Sequence, residues 1–172
     1  LAGSQFMCWN SALSTTTTIN AGTQYTAAAL LALQLAVPSG GLIQLVEWGV
    51  SFNTVQATAA IVEVATTATA TTGLTAHTTT TVFPAINVLN GATTRLTLGT
   101  GATAYGAVAI TSNTTLRPVD RQEVFSAYSK IWPLEDYPQV GNASAAQYLQ
   151  FRIQPQATIT SALIYARWIE MI

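Results

Sequence analysis

The sequence predicts an all-β chain: a single antiparallel β-sandwich, jelly-roll-like, of about eight strands, behind an extended N-terminal arm. Three observations predict it. Apolar and polar residues alternate with period two in short runs, as in Leu149, Phe151 and Ile153 against Gln150 and Arg152. Turn residues separate those runs, among them Pro38-Ser39-Gly40-Gly41 and Pro155-Gln156-Ala157. No segment carries a convincing apolar stripe at helical spacing. At 172 residues the chain fits one domain with a real core, divided into an arm over 1–20 and a sandwich over 21–172.

The arm carries Phe6, Met7 and Trp9, then the polar run Ser14-Thr15-Thr16-Thr17-Thr18. Exposed aromatics on a free arm are a liability, so it is expected to pack on the body or on a neighbouring subunit. Residues 25–37 place Tyr25, Ala27, Ala29, Leu31, Leu33, Leu35 and Val37 on odd positions. That period favours a strand over the helix that Ala and Leu would also allow. Residues 42–53 form the next strand, with Val46, Trp48, Val50 and Phe52 on one face and Glu47, Gly49 and Ser51 on the other. In 59–65, Val62 and Val64 face the core and Glu63 faces solvent or a cross-strand partner.

Residues 66–81 are nearly all Thr, Ala and Gly and read as a loop, a tip or an extended edge. Apolar character resumes at Val82-Phe83-Pro84 and over 86–89. Short strands are expected over 95–98 and over 105–111, the latter broken early by Gly106. The polar segment 114–121, with Pro118, reads as a connection. A strand over 124–132 precedes an irregular stretch over 133–146, marked by Pro133, Pro138 and Gly141. The last two strands put Leu149, Phe151 and Ile153 inward, and then Ala162, Ile164, Ala166 and Trp168 on one side. The apolar end, 169–172, is expected to be buried, against this chain or another subunit.

Composition narrows function more than motifs do. Charged residues make up 8% of the chain, against about 25% in an ordinary soluble domain. The first charge is Glu47. Surface charge keeps free proteins soluble and monomeric, so a chain that omits it is expected to be covered by partners or by copies of itself. A net charge of −1 gives no electrostatic footprint for nucleic acid. The apolar run 27–33 is too short to span a bilayer, so no membrane partner is expected.

Candidate chemistry is sparse, and neither a cofactor, a metal nor catalysis is expected. Cys8, the one cysteine, reads as a small buried hydrophobe. His77, the one histidine, reads as a solvated loop residue without ligand-type neighbours. Glu135-Asp136 reads as a polar loop rather than a calcium site. Trp132 and Tyr137 flank that loop, where aromatics pack into a core, anchor an interface or stack on sugar rings. Arg152 and Arg167, with Glu47 and Glu63, fall on outward strand positions suited to cross-strand pairing. Arg117, Asp120, Arg121 and Glu123 form the densest charged stretch and read as a solvated connection. Phe6, Trp9, Trp132, Tyr137, Arg152 and Arg167 are the residues expected at an interface.

Three motifs carry a family resemblance. The segment Leu45-Val46-Glu47-Trp48-Gly49-Val50-Ser51-Phe52 resembles the LEWGVSF strand of small β-sandwich virion proteins encoded by tailed phages. Leu163-Ile164-Tyr165-Ala166-Arg167-Trp168-Ile169-Glu170 is similar to their closing Y-x-R-W-x-E. Trp132 to Glu135, Pro138 and the Tyr148–Ile153 strand also fit. The resemblance implies a capsid decoration (cement) or minor capsid protein located on the capsid surface. Its partners would be the major capsid protein or other virion subunits and itself, as a homo-oligomer, with a trimer expected because shells offer threefold sites. A receptor- or carbohydrate-binding module of a phage tail or fibre is the alternative.

Overall fold

The computed structural model describes residues 4–12, 19, 21–84, 93–110 and 115–171. In chain order the strands are β1 (Ser4–Trp9), β2 (Thr23–Tyr25), β3 (Leu30–Val37), β4 (Leu42–Phe52), β5 (Ala60–Thr67), β6 (Thr75–Ala76) and β7 (Phe83–Pro84). They continue with β8 (Ala104–Ala109), β9 (Arg117–Val124), β10 (Ala127–Ile131), β11 (Gln139–Gly141), β12 (Gln147–Gln154) and β13 (Ile159–Met171). A 3-10 turn, Leu134–Asp136, is the one helical element among the described residues.

The strands form two antiparallel sheets. The first runs β10-β4-β13-β1-β7, with β11 also on β4 and β2 also on β13. The second runs β6-β8-β3-β12-β5-β9. Their inner faces meet in one core. Trp48 of the first sheet contacts Phe151 of the second, with ring centroids 6.0 Å apart. Trp168, Ile164, Leu149, Leu33 and Val62 fill the same layer, all fully buried. This is the predicted β-sandwich.

The last two strands follow their alternation. Leu149, Phe151 and Ile153 are buried, as are Ala162, Ile164, Ala166 and Trp168. In β5, Val62 and Val64 lie in the core and Glu63 meets a cross-strand partner. Two β-bulges break the alternation expected earlier in the chain. In β4, Glu47 pairs with Arg167 but Leu45 pairs with Trp168, so Val46 is the extra residue. The core face therefore reads Ile43 and Leu45, then Trp48 and Val50. In β3, Leu33 pairs with Phe151 but Leu31 pairs with Arg152, which makes Ala32 the extra residue. Leu30 then joins the main core, while Leu31 joins a small outer cluster with Leu74 and Ala104.

Five further expectations are corrected. The strand expected over 25–37 is two: β2 pairs with β13 in the first sheet, and β3 lies in the second. Residues 4–9, expected in an extended arm packed on the body or on a neighbouring subunit, form a strand within the first sheet, between β13 and β7. The connection expected over 114–121 is corrected from residue 117 on: Arg117 to Arg121 lie in β9, the edge of the second sheet, and Pro118 sits at a register shift there, where a missing N–H is tolerated. Residues 95–98 form no strand; Leu98 makes only an isolated bridge to Thr103. The irregular stretch 133–146 contains β11, paired with Gln44, Ile43 and Leu42. The apolar stretch expected over 86–89 lies outside the described residues.

The Thr/Ala tract is ordered, and its partner is a pair of glutamines. Gln34 and Gln150 face each other across β3 and β12 on the outer face of the second sheet. Gln150 Nε2 donates to Gln34 Oε1 at 2.9 Å, and Thr71 N donates to the same oxygen at 3.0 Å. Gln34 Nε2 donates to Ala102 O at 2.8 Å. Both side chains are buried beneath the tract. The tract thus roofs β3, which explains why all eight of its residues are buried.

Candidate functional site

The outward charges of the strands assemble into cross-strand fasteners. Glu63 on β5 stands opposite Arg152 on β12 and Arg121 on β9. Arg152 Nη1 reaches Glu63 Oε1 at 2.9 Å, and Arg121 Nε reaches Oε2 at 2.7 Å. Glu63 is buried between them, and Arg121 is largely exposed. On the first sheet, Arg167 Nη2 meets Glu47 Oε2 at 2.6 Å across the β13–β4 pair. Tyr165 donates its hydroxyl to the same carboxylate. Its ring can do so because Gly49 stands opposite: a Cβ there would lie 2.5 Å from the ring. Burial, then the Glu47 carboxylate, pushes the Tyr165 hydroxyl up to about 12.

Two more carboxylates are held inside the fold. Asp120 turns from β9 toward the core, where Oδ2 accepts from Trp48 Nε1 at 3.0 Å and from Tyr128 Oη at 2.8 Å. Burial and Asp120 together raise the Tyr128 hydroxyl to about 12. Glu170 accepts from the Thr94 hydroxyl, from Arg95 N at 2.8 Å and from Trp168 Nε1 at 3.1 Å. Ion pairs and these two anchors occupy seven of the thirteen charged side chains. The stretch Arg117 to Glu123, expected to be solvated, therefore supplies structural contacts through Asp120 and Arg121.

The expected interface residues divide by burial. Phe6 is 1% exposed and stacks on Trp168 at 6.1 Å, so it belongs to the core of this chain and not to a subunit contact. Arg152 and Arg167 are paired within the chain. Trp9, Trp132 and Tyr137 are half-buried. Trp132 packs on the core, and the Lys130 ammonium lies 5.9 Å from its ring centroid. Among the described residues the exposed large apolar side chains are Ile19, Val55, Phe125, Ile131 and Leu134, none of them among the residues expected at an interface. Val55 follows the bend at Asn53 and Thr54, Phe125 lies in the turn between β9 and β10, and only the three-dimensional edge position of β10 exposes Ile131.

His77 corrects the expectation of a solvated histidine. It is 2% exposed. Its ring lies 4.8 Å from that of Tyr105, and Nδ1 is 2.9 Å from Thr81 Oγ1. Burial pulls its pKa down to about 4, against a smaller upward push from the Trp9 backbone. The unfolded chain therefore takes up a proton near pH 6.5 that the folded chain resists until about pH 4. This contribution to stability is complete above pH 6.5 and is lost as pH falls toward 4. At pH 4.5 the loss is about 2–3 kcal/mol relative to pH 7.5. Urea unfolding at the two pH values should show it in the native chain and not in His77→Gln. Equal pH dependence of the two would exclude His77 as the source.

Burial also raises Cys8, which is fully buried, away from any reactive thiolate. No group of three or more His, Cys, Asp or Glu converges among the described residues. No helix there is long and apolar enough to cross a membrane. Among the described residues the surface clefts include three open ones. One, of about 320 Å³, is lined by Glu63, Arg121, Arg152 and apolar residues including Ile61 and Ile110. A second, of about 390 Å³, holds Arg117, Gln139, Asn142 and Gln147. The third, of about 260 Å³, adjoins Glu170 and the 38–41 turn. No protein-family model, curated protein or solved structure matches the chain.

Proposed function

We propose that the chain is a structural virion protein, a capsid decoration or minor capsid protein that binds the shell surface and stabilises it through contacts repeated over many copies. The observation that carries the reading is the use of charge. An already small set of charged residues is spent largely on fastening strands within the chain. What remains outside is dominated by Thr, Ala, Ser and Gln with a few apolar side chains. Interface cores are depleted in charge, and such a surface suits them. The strand motifs around Trp48 and Arg167 add the family resemblance. Their Glu47 and Arg167 join to each other, which gives the motif residues a structural use.

A cement protein works by summed contact area and avidity. The test is co-sedimentation of the purified chain with expanded shells assembled from a tailed-phage major capsid protein. Saturable binding and a raised shell-disruption temperature are expected. A monodisperse monomer without affinity for the shells overturns the proposal. The tail or fibre alternative needs an open aromatic platform at Trp132 and Tyr137, and the packing of Trp132 against the core leaves it less ring surface than that role requires.

A further inference from the structure

The two flanks of the sandwich differ. On one flank the sheets end in two-residue strands, β6 and β7. The other flank carries the long edges β9 and β10, joined by the turn at Phe125 and Ser126. Open edges invite pairing with other chains, and proteins guard them with proline, charge and bulges. Strand β9 has all three: Pro118, a register shift beside it, and Arg117, Asp120, Arg121 and Glu123. Strand β10, Ala-Tyr-Ser-Lys-Ile, has no proline, pairs with β4 without a bulge and carries one charge, Lys130.

We propose that two copies of the chain pair through β10, antiparallel about a twofold axis at Ser129, so that their first sheets join into one. The hydrogen-bond parity of the edge sets this register. Ser126 O accepts from Phe52 N at 2.7 Å, and Trp132 N donates to Val46 O at 3.1 Å. Even-numbered residues of the strand therefore bond to β4, and the main-chain groups of Ala127, Ser129 and Ile131 point to the open edge. A twofold at Ser129 pairs it with its own copy and pairs Ala127 with Ile131 at both ends. About six main-chain hydrogen bonds result.

The edge is its own complement in this register, which is why a second copy is the occupant. Tyr128 of one copy lies across from Lys130 of the other. The Tyr128 hydroxyl bonds to Asp120, which has no ion pair within the described chain, and neither does Lys130. Pairing brings the cation of each copy alongside the carboxylate site of the other. Phe125 comes beside Pro133 and Leu134. Phe125, Ile131 and Leu134 are 53%, 60% and 73% exposed, and all three lie along this seam. The inference stands whether or not the chain binds a shell.

Sedimentation velocity over about 1–200 μM tests it, a range set to span micromolar affinity. The native chain should dimerise. Ser129→Pro removes an N–H that faces the edge rather than β4, so the fold should survive and the dimer dissociation constant should rise at least about tenfold. Ile131→Arg, at an exposed position, should weaken the dimer similarly. Ser129→Cys should cross-link to itself under oxidation, because the paired Cα atoms would be about 5.5 Å apart, while Gln139→Cys should not. Two results overturn the proposal: a native chain that stays monomeric at the top concentration, or association that Ser129→Pro and Ile131→Arg both leave unchanged.

Discussion

Replacing Asn10 with alanine is expected to destabilise the chain by about 3–5 kcal/mol, although Asn10 is one uncharged residue just past the end of β1. Its side chain acts as a piece of strand. Asn10 Oδ1 accepts from Ile164 N at 2.8 Å, and Nδ2 donates to Ala162 O at 3.0 Å and to Tyr25 Oη at 2.6 Å. Its own N–H donates to Ile164 O at 2.9 Å, and Thr23 Oγ1 donates to its carbonyl at 2.7 Å. The amide so bridges the gap along β13 between β1 and β2, where the chain leaves the sheet and returns. Asn10 is fully buried. Alanine leaves the Ile164 N–H without its partner, at about 1–3 kcal/mol, and removes the bonds to Tyr25 Oη and to the Ala162 carbonyl, which keeps its place opposite Thr23 in the β2 ladder. Tyr25 keeps its bond to Gly106 O at 3.1 Å, and burial still raises its hydroxyl to about 12. Urea unfolding measures the loss, and a double-mutant cycle with Tyr25→Phe should give a coupling of about 1 kcal/mol. A loss below about 1 kcal/mol would mean that water replaces the amide.

The alternation of β12 and β13 was readable because both strands are buried on one face only along most of their length, and period two survives in such a strand. Where both faces are covered, or where a bulge adds a residue, the same reading drifts. Leu31 shares its parity with Leu33 and Leu35, yet the bulge at Ala32 turns it to the outer face. Val46 shares its parity with Trp48, yet it is the bulged residue of β4. Neither bulge leaves a glycine or proline in the sequence to announce it. Pro118 misled in the opposite direction: it suggested a break, but an edge strand tolerates it. The roof over β3 has a signature in the sequence. Gln34 stands alone inside the apolar run Leu30–Val37, and a lone amide there requires a buried polar partner. Gln150 holds the matching position in β12, and the tract's Thr71 completes the set.

The interface residues were less legible than the fasteners, for a physical reason. Arg152, Arg167, Glu47 and Glu63 announced themselves through strand parity, because charges on alternate positions must leave the core. Whether a half-apolar residue such as Ile131 is covered depends on which strand ends the sheet. That is decided by pairings between residues more than 70 positions apart, as for Ile131 and Glu47. Phe6 shows the converse. Its place near the start of the chain suggested an arm, and its pairing with Trp168 at the far end put it in the core.

Replacing Glu63 with alanine is expected to cost about 3–5 kcal/mol, the range for breaking a buried ion pair on one side. The charges around it are unequal. The Arg121 side chain is 62% exposed and returns to water at little cost, so its share is below about 1 kcal/mol. The Arg152 side chain is 17% exposed, on the central strand β12, and loses its only carboxylate. The penalty is that of a guanidinium left in a poorly hydrated place, relieved in part if it swings into the adjoining cleft of about 320 Å³. This predicts the pattern of second changes. Arg152→Met in the Glu63→Ala background should recover at least half of the loss, because the stranded charge is gone and the aliphatic stem remains. Arg121→Met in that background should recover almost nothing. Chemical unfolding of the two double variants decides the matter. Equal recovery by both would mean that the pair acts through net charge, and no recovery by either would mean that Glu63 acts through packing alone.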